Sequence, residues 1–277
     1  MRITFSTATF YAYSFDYSLR LARDVGYDGV ELAIGVGYQL GGPRHYLRAI
    51  RAIGVPVLSV HPPFLRLRVG GWPLSVAARM SRLTSVAYLL DAPLCVAHVP
   101  AIHSVDSHRA QRFARAIALG YDSVPGGVTI TLESSQYAGR QPHLLDDVAA
   151  LAAFARAHNC GVTLDTCHVG ANGEDLLAIY EILRPVLRNV HLSDARQRGT
   201  VMRTHVMPGE GELPLSALLA ALARDGYDGL VTLEVHPREV GMVGRAQQTR
   251  RLQQALDFVR TATTNESVQD ADRQARA

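Results

Sequence analysis

The chain contains no lysine; all 28 of its basic residues are arginine. That absence removes Schiff-base chemistry, which needs a lysine amine, and with it the lysine aldolases and pyridoxal-phosphate enzymes. Cysteine is scarce. Cys95, Cys160 and Cys167 are odd in number and sit in apolar runs, so they read as reduced, buried thiols rather than a disulfide framework, and they cannot build an all-cysteine zinc site. No apolar stretch has the length of a membrane span or a secretory signal, and the first ten residues run straight into strand-like sequence. A soluble, cytoplasmic protein without a membrane partner is therefore expected. Charge of one sign is also lacking: a formal net charge of +3 gives the whole molecule little attraction for a polyanion.

What is present is apolar residue in two alternating rhythms. With 277 residues, 48% of them hydrophobic, the chain can bury one large core. Eight short runs rich in Val, Ile, Leu and Thr occur at 2–6, 29–34, 55–61, 93–98, 128–133, 161–166, 188–193 and 230–235. Longer stretches separate them, and those at 143–158 and 214–226 space Leu, Val and Ala three and four apart, as an amphipathic helix requires. Gly26, Gly54, Gly161 and Gly226 stand just before strands, and Pro214 stands at a helix start. The segment Asp24-Val-Gly-Tyr-Asp-Gly-Val-Glu-Leu is nearly repeated from Asp225, each reading as helix end, turn and strand. The pattern predicts an α/β fold, a single-domain (β/α)8 TIM barrel over residues 1–262. From Thr263 to Ala277 the chain is polar and short of large apolar groups, and reads as a disordered tail.

In such a barrel the C-terminal ends of the strands form the active face. Six consecutive runs carry a metal-type ligand there: His61, His98, Glu133, Asp165, His191 and Glu234. His168 and His205 follow closely. Imidazole with carboxylate suits zinc, manganese or iron rather than an all-sulfur site or a calcium cage. Taken singly, each histidine reads as a hydrogen-bonded core or rim residue. Taken together, carboxylates at buried strand ends are costly unless paired or metal-bound, so a divalent cation is expected on some of them. Glu31, at the end of the second run, is open between a substrate contact and a salt bridge to one of the arginines.

These residues resemble the xylose-isomerase-like barrel superfamily, which holds sugar isomerases and epimerases together with endonuclease IV. The resemblance spans nearly the whole chain. It is carried by Ser-Val-His-Pro-Pro at 59–63, Leu-Glu-Ser at 132–134, Leu-Asp-Thr-Cys-His at 164–168, Val-His-Leu-Ser-Asp at 190–194, His-Val-Met-Pro-Gly-Glu-Gly at 205–211 and Leu-Glu-Val at 233–235. It implies that Glu133, Asp165, His191 and Glu234 form a metal quartet, and that His61 and His98 serve a second ion bridged through Glu133. The nuclease's third zinc would need His168 and an Asp-x-His step; here that step reads Arg203-Thr204-His205, an arginine in place of the aspartate. Arg203 is open to receiving a substrate phosphate or carboxylate, and His168 and His205 to contacting substrate oxygens.

Two chemistries fit the ligand set. A metal-dependent isomerase or epimerase, acting on a small sugar, keto sugar or sugar phosphate, would stabilise an enediolate, with Glu133 and Glu234 moving the proton. The missing lysine argues against a hydride-shift aldose isomerase. An endonuclease IV-like multi-zinc phosphodiesterase would act on abasic DNA; its nucleic-acid surface would have to come from the segment 64–72, with Arg66, Arg68 and Trp72, which reads equally as a lid over a small acidic substrate. A metal-binding barrel without turnover is the third class. The departure at Arg203 favours the small-molecule enzyme, and the sequence specifies neither the sugar nor the oligomeric state.

Overall fold

The computed structural model describes residues 1–63, 72–137, 139–199 and 201–274, with side chains described for all of these except 36, 39, 40, 201 and 265–274. The strands are β1 (Arg2–Ser6), β2 (Gly29–Ala33), β3 (Val57–His61), β4 (Leu94–His98), β5 (Thr129–Glu133), β6 (Gly161–Asp165), β7 (Leu187–Leu192), β8 (Asp194–Arg198), β9 (Val201–Val206) and β10 (Leu230–Leu233). The helices are α1 (Phe15–Val25), α2 (Val36–Ile53), α3 (Val76–Leu89), α4 (His108–Asp122), α5 (Val148–Ala157), α6 (Thr166–Asn172), α7 (Leu176–Leu183), α8 (Leu215–Arg224), α9 (Pro237–Val240) and α10 (Arg245–Gln274). Eight parallel strands close in the order β1-β10-β7-β6-β5-β4-β3-β2, and each of the eight runs read from sequence supplies one of them. The β8–β9 hairpin, inserted after β7, was not foreseen: its strands, DARQR and VMRTHV, lack the run of Val, Ile and Leu that marks the barrel. No described helix is long and apolar enough to cross a membrane.

Local signals set the helices. Ser14 caps α1 by accepting from Tyr17 N, and Gly26 ends it at a φ of 91°, which side-chain-bearing residues rarely adopt. Ser75, Ser107 and Asp147 cap α3, α4 and α5 in the same way. Helix α10 runs through the polar segment from Thr263 as far as Gln274. Its Ala, Glu, Gln and Arg content is compatible with helix, so polarity alone did not mark a boundary; 275–277 lie outside the described residues.

The outward faces of the strands join the helices in one large apolar cluster. The barrel's interior is different. At mid-height Thr4, Ser59, Thr131, Thr163, Asn189 and Thr232 are wholly buried. Thr4 Oγ1 donates to Thr232 Oγ1 at 2.8 Å, Thr232 Oγ1 to Asn189 Oδ1 at 2.9 Å, and the Thr131 and Thr163 hydroxyls meet at 2.7 Å. Below this layer Leu58, Leu94, Val96 and Leu230 plug the other end. Two register shifts shape the interior: Val30 pairs with Val57 but Glu31 with Ser59, and Val162 pairs with Leu187 but Thr163 with Asn189. Each leaves an extra residue, Leu58 or Arg188, as a bulge. Each packs where a Cβ on a neighbouring glycine would stand, Leu58 Cγ at 2.8 Å from that of Gly29 and Arg188 Cγ at 2.5 Å from that of Gly161.

Candidate metal centre at the strand ends

Glu133, Asp165, His191 and Glu234 come from β5, β6, β7 and the residue after β10, and they converge with little or no exposure. Each offers one ligand atom, and these atoms lie within 4.8 Å of one another, close enough for one divalent cation to contact all four. His191 Nδ1 stands 3.0 Å from Glu133 Oε1 and 2.8 Å from Glu234 Oε2. A proton on Nδ1 and a cation therefore compete for one position. Burial works to lower the His191 pKa, but the charges of Glu234 and Glu31, with hydrogen bonds to Glu133 and Glu234, raise it well above its ordinary value. Burial likewise pushes Glu133 up, and the His98, His191 and His61 imidazoles facing it overcome this and hold it well below the usual carboxylate range.

Asp165 has two tasks. Its Oδ1 accepts from the backbone N–H of Cys167 and His168 at 2.9 and 3.1 Å, capping α6, whereas its buried Oδ2 makes no hydrogen bond and has only His168 Nδ1, 3.5 Å away and bonded to Ser134 O, beside it. A buried carboxylate oxygen without a donor is costly. Together with the N/O donor set, it makes this site fit a divalent ion such as zinc or manganese.

Glu133 turns its second oxygen to the expected companion set. His98 Nε2 is 3.0 Å from Glu133 Oε2, His61 Nε2 is 3.8 Å away, and the two imidazole nitrogens are 3.1 Å apart. One carboxylate thus faces both groups, as a bridging ligand must. His61 Nδ1 is fixed by Pro62 O at 2.7 Å, leaving Nε2 for the site. A third group gathers Asp165, Cys167, His168 and His205. The His168 and His205 rings stand perpendicular, centroids 5.9 Å apart, with their Nδ1 atoms held by Ser134 O at 2.9 Å and Glu234 O at 3.1 Å.

Two of the expected site residues have buried partners of their own. Glu31 neither pairs with an arginine nor lies open to substrate. It is wholly buried behind His191, its Oε2 accepting from Nε2 at 3.1 Å and from Ser59 Oγ at 2.9 Å. The extended β2 points it into the barrel interior, where arginine does not reach and imidazole does. Its charge keeps Nε2 protonated and Nδ1 aimed at the quartet. Arg203 is not a free cation: its guanidinium pairs with the buried Glu239 carboxylate of α9. Arg66 and Arg68 lie outside the described residues; Trp72 borders a pocket beside His98.

Sequence reasoning gave no role to Asp194, although it stands in the Val-His-Leu-Ser-Asp motif. Its Oδ2 accepts from Gly209 N and Gly211 N, both at 3.0 Å, and its Oδ1 from Leu213 N at 3.0 Å and Ala195 N at 2.9 Å. It thereby shapes the Pro-Gly-Glu-Gly turn beside His205; an acidic residue ahead of a glycine-rich turn was the available signal. Ser134 Oγ, which accepts from Asp165 N at 2.9 Å, was likewise missed. A separate hollow of about 360 Å3, lined in part by Arg2 and Arg188, opens at the strands' other ends, away from every group described above.

The model of the family described as xylose isomerase-like TIM barrel matches residues 19–262, and the chain belongs to that family. An uncharacterized protein of Mycobacterium tuberculosis is 27% identical over 284 residues, covering 94% of this chain and 97% of the relative. Fructoselysine 3-epimerase of Escherichia coli O157:H7 is 20% identical over 244 residues, covering 79% and 85%. Among solved structures, D-psicose 3-epimerase with D-tagatose, from Clostridium cellulolyticum H10, superposes with a TM-score of 0.71 at 17% identity, covering 95% of this chain and 99% of the other.

Proposed function

We propose that the protein is a divalent-metal-dependent isomerase or epimerase of a small sugar, keto sugar or sugar phosphate. The observation that carries this is the buried quartet Glu133, Asp165, His191 and Glu234 at the barrel's C-terminal face. Similarity to epimerases named for fructoselysine and D-psicose supports the carbohydrate class. Bound to the quartet, a zinc or manganese ion would supply positive charge opposite adjacent carbonyl and hydroxyl oxygens of the substrate, offsetting the charge of an enediolate. Glu133 and Glu234, on either side of His191 Nδ1, remove and return the carbon-bound proton. His168, anchored through Nδ1, leaves Nε2 for substrate hydroxyls, and His205, anchored the same way, stands beside it. Burial of the quartet keeps bulk water from competing.

A second reading, a multi-metal phosphodiesterase acting on abasic DNA, is favoured by the His61–His98–Glu133 group, whose two histidines the single-ion isomerase leaves unused. The Arg203–Glu239 pair, where the nuclease pattern needs an acidic ligand, weighs against it. One experiment separates them: metal content of the purified protein, exchange of substrate C–H for deuterium with keto sugars in D2O, and cleavage of a duplex carrying an abasic site. Deuterium incorporation with no cleavage is expected. Two or more zinc ions per chain with prompt cleavage and no exchange would overturn the isomerase reading.

A further inference from the structure

A pocket of about 190 Å3 opens directly beside His98 and is not used by the proton-transfer chemistry. Its walls include Trp72 and the buried Met80, Leu83 and Phe113, contributed by α3, α4 and the approach to α3. Four prolines, at 62, 63, 73 and 100, line it as well, so much of its backbone has its φ fixed before any ligand arrives. Its polar groups are few. His98 forms the boundary with the metal-type cluster: its Nε2 lies 3.0 Å from Glu133, yet half of the side chain, 51%, stays exposed. Arg79 gives its Nε–H to Pro73 O at 2.8 Å, which ties the guanidinium to the wall.

We infer that this pocket is a specificity subsite for an apolar, ring-sized substituent on the substrate, so that the substrate is a glycoside or similarly substituted keto sugar rather than an unsubstituted one. The inference rests on the carbohydrate reading above and narrows it. Size agrees: an apolar cavity of roughly 150 Å3 is enough to take up a benzene ring. Chemistry agrees too, because Trp72, Met80, Leu83 and Phe113 offer apolar contact to a ring, while Arg79 is the one charged cation among the described lining residues. Continuity completes the case, since His98 lines the pocket and its Nε2 stands 3.0 Å from Glu133 of the quartet, so the two sites adjoin through it.

Trp72 is the only tryptophan in the chain, so its emission reports occupancy without any need for turnover. Titration with benzyl alcohol should change that emission saturably. Phenyl β-D-glucopyranoside should bind about ten- to a hundredfold more tightly than methyl β-D-glucopyranoside, the gain from burying one aromatic ring. Ala97→Leu, which fills the pocket from β4, should remove that difference, with thermal melting confirming that the variant is folded; Val99→Leu is a milder second filling. Equal affinity for the phenyl and methyl glucosides, or undiminished phenyl binding in a folded filling variant, would overturn the subsite. An inert protein that keeps the phenyl preference would remove only the isomerase reading.

Discussion

Replacing Glu31 with glutamine tests how the centre holds its shape. The residue is not one of the quartet; it reaches the centre chiefly through His191 Nε2, 3.1 Å away, with its charge also felt at His61, in surroundings closed to water. Glutamine keeps an acceptor of nearly the same shape but loses the charge that fixes the imidazole's proton on Nε2 and makes Nδ1 a better donor to a cation. Loss of such a supporting carboxylate typically weakens metal binding about 10- to 100-fold, or about 1.4 to 2.7 kcal/mol. The assay is calorimetric titration of manganese into chelator-treated protein, wild type against Glu31→Gln, with melting curves before metal addition as the folding control. The expected result is a dissociation constant raised by that factor with unchanged stoichiometry. A variant that folds and binds manganese within threefold of wild type would refute the reasoning, since His191 would then not need its buried partner.

Further outcomes follow from the same geometry. After treatment with a chelator, the melting temperature should peak between the ordinary values of a carboxylate, 4.5, and of an imidazole, 6.5. The lowered Glu133 and Glu31 lose their stabilising contribution as pH falls below the first, the raised His191 loses its own as pH climbs past the second, and added zinc or manganese should restore stability on the alkaline side; a flat profile would contradict this. Glu133→Gln and Glu234→Gln should each abolish deuterium exchange, whereas His98→Ala should only weaken it; loss of both activity and a second ion in His98→Ala would favour the two-metal reading. Asp194→Ala should destabilise the fold by about 3 to 5 kcal/mol in urea denaturation, because four backbone N–H groups lose a buried charged acceptor. A thiol reagent should find no cysteine in the native protein and three after denaturation, since all are buried and burial raises each pKa, that of Cys160 to about 12.

The barrel was readable because each strand buries its outward face, leaving eight apolar runs whose spacing survives in the chain. The convergence of the ligand-type side chains was readable for a related reason: closure of the ring carries a histidine or acid at the end of one run to the same rim as its counterparts on the neighbouring strands. Partners are a different matter. Glu31 and His191 are 160 positions apart, and their contact depends on both side chains turning inward, which composition does not encode. Arg203 looked free because Glu239 comes from a four-residue helix on the far side of β10. The pocket beside His98 was hidden for another cause: its walls come from β4, two helices and two loops of neighbouring units, and their packing leaves no mark in the apolar rhythm.

The two bulges have a wider implication for what this barrel tolerates. Facing in a strand is an odd-or-even count, and Leu58 and Arg188 each add one to that count, on strands that stand opposite each other across the ring. The rings of His61 and His191 face each other across 5.9 Å as a result. Removing either extra residue would rotate one histidine toward the helices while leaving the opposite wall intact, so a one-residue deletion far below the centre would do more harm than most substitutions within it.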